Sequence, residues 1–142
     1  APGEELFREV RKRLGELPII AEDLGMITPA VEQLRINNGF PGMKVLQFAF
    51  DSMDHGSTTF LPHNHEPGSV VYTGTHDNDT TVGWYQKCSE ATKRRIDDYH
   101  GCAITDPAWD FIRMAMASVC RTAIFPMQDV LGLGSEARMN QP

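Results

Sequence analysis

The feature that most constrains this chain is an alternation. Short apolar runs, too brief for a helix, are each followed by a stretch with helical spacing and a helix-start signal. The runs are Ile19-Ile20-Ala21, MKVLQFAF (43–50), SVVYTG (69–74) and TAIF (122–125). Near-continuous apolar character suits strands buried on both faces, which is the signature of a parallel sheet. Strands alternating with helices read as βαβ units, so the expected class is α/β with a parallel sheet. At 142 residues the chain suffices for one domain with a core, and 1–142 is read as a single domain.

The helical stretches carry their own punctuation. Residues 4–15 place Leu6, Phe7, Val10 and Leu14 on one face, and Leu17-Pro18 ends the run. Thr28-Pro29 is an N-cap followed by a first-turn proline, with Val31 and Leu34 expected inward and Asn38-Gly39 as the C-cap. A short helix is expected around 79–86 and another over 89–99, capped by Ser89. Asp106-Pro107 opens a further helix whose inner face is expected to be Trp109, Ile112, Met116 and Val119. Residues 51–68 show no period and hold three histidines, so a long loop is expected there. MQDVLGLG (127–134) reads as a short helical turn, and 136–142 as irregular.

Composition removes several function classes. With 41% apolar and 23% charged residues and a net charge of −6, the chain lacks the basic surface a nucleic acid requires. A polyanionic ligand is disfavoured, whereas a neutral sugar is compatible. No apolar run is long enough to span a bilayer, which requires about 20 residues. Cys88, Cys102 and Cys120 are odd in number and widely spaced, with no CxxC, which points to a reducing, cytoplasmic setting. His63-x-His65, with His55 nearby, lacks a carboxylate or thiolate to complete a zinc set, so no metal and no cofactor is expected.

In parallel α/β folds ligands bind at the carboxyl ends of strands. Three of the four runs lead into acids: Glu22-Asp23, Asp51, and Asp77 with Asp79. Paired carboxylates are what glycosyl transfer needs, one as proton donor and one at the oxocarbenium-like centre. Acids at strand ends also cap helices and bind loop amides, and Asp23 and Asp79 are open to that reading.

IIAEDLG (19–25), GFPGMKVLQFAF (39–50), LPHN (61–64), VVYTGTHDNDTTVGW (70–84) and EARMNQP (136–142) together closely resemble the 4-α-glucanotransferase family of amylomaltases. The resemblance implies a (β/α)8 TIM barrel, of which this chain would supply approximately strands 5 to 8 with their helices. It also implies transfer of α-1,4-glucan segments between maltodextrins with retention of configuration. Carried over by motif, Glu22 matches the general acid/base, Asp77 the transition-state stabiliser, and His76 the neighbouring sugar-binding histidine. Asp23, Phe48, Asp51 and Asn78 are implied to line the cleft. The family's nucleophile lies in an Arg-x-Asp motif ahead of the IAEDLG block, and no Arg-x-Asp precedes Glu22 here. The chain by itself is therefore expected to be inactive, and its exposed sheet edges to favour self-association. The alternative is a non-catalytic glucan-binding or assembly module, which would keep the cleft without turnover.

Overall fold

The computed structural model describes residues 2–51 and 55–141, with the side chains of 55–57 also left aside. The chain divides into two compact units, residues 1–43 and 44–142.

The first unit holds two helices. α1 spans Gly3–Leu14, with Glu4 and Glu5 in its first turn and Arg11, Lys12 and Arg13 in its last, an order that suits the helix dipole. α2 spans Pro29–Asn37 and begins as its cap signal requires, Thr28 Oγ1 accepting the Val31 N–H. Gly39 then takes a left-handed φ of 68°, which only a residue without Cβ adopts cheaply.

Along α1, Leu6 is 58% and Leu14 67% exposed, while Phe7 and Val10 are half-buried and Phe7 meets Phe40 edge-on at 4.8 Å. Two expectations fail in this unit. First, Val31 is exposed, although Leu34 is half-buried against Gly3. Second, Ile19-Ala21 forms no strand. A strand is defined by a ladder of hydrogen bonds to a neighbour, and among the described residues this run makes one backbone bond to a distant segment, from the Ala21 N–H to the Pro41 carbonyl at 2.9 Å.

The second unit is built on a three-stranded sheet of order β1-β2-β3, where β1 is Met43–Val45, β2 Val70–Tyr72 and β3 Thr122–Ile124. β2 and β3 are parallel, with Val70 opposite Thr122, Val71 opposite Ala123 and Tyr72 opposite Ile124. β1 is shorter than the apolar run predicts. After Val45 the chain turns on local i to i+3 hydrogen bonds, Ala49 N–H to Leu46 O and Phe50 N–H to Gln47 O, into α3, Phe48–Asp51. That turn swings Phe50 into the core, 5.9 Å from Phe111 and 5.7 Å from Tyr99, edge to face.

The expected loop that follows contains two single 3-10 segments, His55–Phe60 and Pro62–Asn64; its residues 52–54 and the His55 side chain lie outside the described part. α4 (Thr81–Lys87), α5 (Glu90–His100) and α6 (Pro107–Met116) then pack around the core and each begins at a side-chain cap, Thr80, Ser89 and Asp106 in turn. Asp110 strengthens the α6 start by accepting the Thr105 and Asp106 N–H groups at 3.1 Å each.

Of the stripe expected on α6, Ile112 alone is buried. Ala108, Phe111, Ile112 and Ala115 face inward, spaced i, i+3, i+4 and i+7, whereas Trp109 and Met116 are exposed, and Val119 lies beyond the helix end and is also exposed. Both stripes are apolar, so periodicity alone does not choose between them. Phe111 decides the matter by meeting Trp84 edge-on at 5.4 Å while also touching Phe50. The core joins Leu46, Phe50, Val71, Ile96, Phe111 and Ala115. α7, Met127–Val130, follows β3 after Pro126.

Candidate active site

The loop after the central strand, residues 74–80, carries His76 and Asp77. Both are exposed, and His76 Nε2 lies 3.3 Å from Asp77 Oδ1. An exposed acid at the carboxyl end of a parallel strand is accessible to a ligand, and here it is also held in place. Asn140 Nδ2 donates to Asp77 Oδ1 at 2.7 Å, and an Arg138 guanidinium nitrogen donates to the Asp77 carbonyl at 3.3 Å.

The loop is braced internally as well. Asn78 Oδ1 accepts both the Thr75 N–H and the Thr75 hydroxyl at 2.9 Å, closing a small ring ahead of Asp77. Gln47, 1% exposed just past β1, donates through Nε2 to the Asp79 carbonyl at 2.9 Å. Gly74 makes room for that amide, since a Cβ there would sit 2.7 Å from Gln47 Nε2. Asp79 takes the Thr80 N–H, Lys87 Nζ at 2.5 Å and Ser135 Oγ at 2.8 Å. Burial pushes the Asp79 carboxyl up, but these donors together hold it below the usual carboxylate range. Asp79 is a structural anchor; the cap of α4 is its neighbour Thr80.

Asp51 and Phe48 are elsewhere on the same unit. Asp51 Oδ1 accepts the Trp84 indole N–H at 2.6 Å. Phe48 packs edge-on against Phe60, with ring centroids 5.4 Å apart. In the first unit Glu22 is exposed and its Oε1 accepts the Leu24 N–H at 2.9 Å. Asp23 is largely buried. It accepts the Met43 N–H at 2.7 Å and pairs with Arg35 Nε at 3.4 Å, and a Cβ on Gly42 would strike its carboxylate.

The histidine-rich loop does other work. The His63 ring stacks on Tyr99, and His65 Nε2 meets the Phe60 carbonyl at 2.7 Å. Among the described residues no group of three His, Cys, Asp or Glu side chains is arranged to hold a metal ion. No helix among them is long and apolar enough to cross a membrane.

A family model described as 4-alpha-glucanotransferase, of glycoside hydrolase family 77, matches residues 1–142. The chain belongs to this family. It is 58% identical over 145 residues to a 4-alpha-glucanotransferase of Synechocystis, covering all of this chain and 28% of that protein. It is 52% identical over 150 residues to the Thermus thermophilus enzyme of the same name, again over the whole chain and 30% of the relative. Among solved structures, the amylomaltase from Streptococcus agalactiae in complex with acarbose superposes with a TM-score of 0.90 at 38% identity, over all of this chain and 29% of that one. The chain therefore spans under a third of the length of these glucanotransferases, and its α/β fold with a small parallel sheet matches part of an amylomaltase.

Within this glucanotransferase segment, sequence reasoning reached the loop but missed its supports. Gln47, Lys87, Asp129, Ser135 and Arg138 look in the sequence like ordinary strand, helix and tail residues. Asn140 sits in the EARMNQP block that carries the resemblance, yet nothing in the sequence ties it to Asp77 across 63 positions.

Proposed function

We propose that this chain is the part of a 4-α-glucanotransferase catalytic barrel, strands 5 to 8 of a (β/α)8 fold, that supplies the acid/base and the transition-state stabiliser for α-1,4-glucan transfer. The observation that carries the reading is the exposed His76-Asp77 pair on a braced loop at the carboxyl end of the central strand, in a chain matched by the family model over its full length.

Asp77 is the stabiliser. Asn140 engages its Oδ1 and leaves the carboxylate more than half exposed, so it can accept hydrogen bonds from sugar hydroxyls and face the positive charge that grows at the anomeric carbon. His76 contacts the same sugar. Glu22, assigned by its IAEDLG motif, first donates a proton to the departing glucan oxygen. It then removes one from the 4-hydroxyl of the incoming acceptor. Retention needs two displacements and hence a nucleophilic carboxylate. The family's Arg-x-Asp does not precede Glu22 among these residues, so the nucleophile is supplied by another segment. On the unit that carries Asp77, Phe48, Asp51 and Asn78 are further substrate-binding residues, Asn78 also holding the Thr75 N–H and Asp51 the Trp84 indole; beside Glu22, Asp23 is another and also holds the Met43 N–H. The substrate is a maltodextrin, no cofactor takes part, and three free thiols suit a reducing cytoplasm.

The test is disproportionation of maltotriose by this chain, alone and mixed with the separately expressed preceding part of the Synechocystis relative. Silence alone and glucose release on mixing is the expected result. Turnover by this chain alone would overturn the nucleophile assignment and make Asp51 the next residue to replace.

A further inference from the structure

Asp129 is fully buried at the start of α7, and its partners are hydroxyl and amide donors. Its Oδ2 accepts the hydroxyls of Thr73 at 2.5 Å and Thr81 at 2.8 Å, and its Oδ1 accepts the Thr81 N–H at 2.8 Å. Thr73 and Thr81 are themselves fully buried. They are the two residues that flank the loop 74–80, one where the chain leaves β2 and the other where it enters α4. One carboxylate thus ties both ends of the loop that carries Asp77.

We propose that Asp129 is a positioning residue for Asp77, setting its carboxylate by clamping the two ends of the loop from beneath; this rests on the reading of Asp77 given above. Stability alone is a poor reason for such a group. A buried carboxylate costs much more to desolvate than an apolar side chain of similar size. What it offers instead is direction: an acceptor-only group forces three donors to converge at fixed angles. The second brace has the same logic. Gln47 holds the Asp79 carbonyl from the segment after β1, while Asp129 holds Thr73 and Thr81 from the segment after β3. The loop after the central strand is therefore fixed from the carboxyl ends of both neighbouring strands. With Asp77 pinned above by Asn140, a shift of the loop base would move the carboxylate relative to the sugar.

Two measurements test this. In this chain, Thr73→Val and Asp129→Ala should raise hydrogen-exchange rates of the Thr75, Asp77 and Asn78 amides at least about tenfold, leaving those of Ile96 and Tyr99 in α5 unchanged. Thr73→Ser, which keeps the hydroxyl, should restore slow exchange. In a chimera in which these 142 residues replace their counterpart in the Synechocystis relative, the same variants should lower kcat for maltotriose about 10- to 100-fold, with KM within about twofold. If Asp129→Ala does not fold, Thr73→Val carries both measurements. Unchanged loop exchange, a uniform rise across the chain, or an unchanged kcat per folded molecule overturns the proposal. Asp77→Asn with undiminished kcat would instead sink the functional reading, and the exchange result would still stand.

Discussion

At the scale of single residues, what a side chain touches decides its chemistry more than its identity does. Asp77, Asp79 and Asp129 are all aspartates of one unit. Asp77 is exposed, Asp79 anchors a lysine and a serine, and Asp129 is fully buried. His65 shows the same principle for a base. Burial pushes its imidazole below the usual histidine range, with Lys44 and His63 adding to the shift, while the Phe60 carbonyl only partly offsets it. The folded state therefore favours neutral His65, and in the window between the folded and unfolded values the unfolded chain binds more protons. Stability contributed by His65 is complete above about pH 6.5 and is lost as pH falls through that value towards the lower folded one. Urea midpoints measured from pH 7.5 to 5.5 should drop for the parent chain. They should drop less for His65→Gln; equal slopes would remove the assignment.

At the scale of elements, caps and close approaches carry the information. The starts of α2, α5 and α6 were legible because Thr28-Pro29, Ser89 and Asp106-Pro107 act locally, through hydrogen bonds within four residues of sequence. The packing of α4 is not local. Gly83, in its first turn, lies against residue 135, where a Cβ would come within 2.1 Å of Ser135 Oγ and 2.9 Å of both the Ser135 backbone nitrogen and Asp79 Oδ1. Gly83→Ala would gain helix propensity but force backbone and the Asp79 anchor apart. We expect a net loss of about 1–3 kcal/mol in chemical denaturation despite the better helix former. A stabilised variant would show that the 135 segment yields freely.

At the scale of the whole molecule, apolar surface is the salient property. Within the second unit Trp109, Met116, Ile124, Met127 and Leu131 are exposed, and β1 and β3 are the outer strands of the sheet. Unsatisfied strand edges and exposed apolar groups favour association. Light scattering at micromolar concentration should report species larger than a monomer, reduced by Met127→Lys with Leu131→Lys. A clean monomer for the parent chain would refute this.

The sequence by itself determined the class, the helix starts and the segment that bears Asp77, because these rest on hydrophobic period, capping and motif, all readable within a few positions. It misjudged Ile19-Ala21 and the length of β1, because a strand exists only where another backbone completes its ladder. It found Ile112 but otherwise missed the buried stripe of α6, because two apolar faces compete and Phe111 is placed by Trp84 and Phe50. The supports of Asp77 were beyond its reach for the same reason. Asp129 and Asn140 reach the loop from 48 to 63 positions away, and only the tertiary fold, which closes those separations to hydrogen-bond distance, decides which acid stays exposed and which is buried.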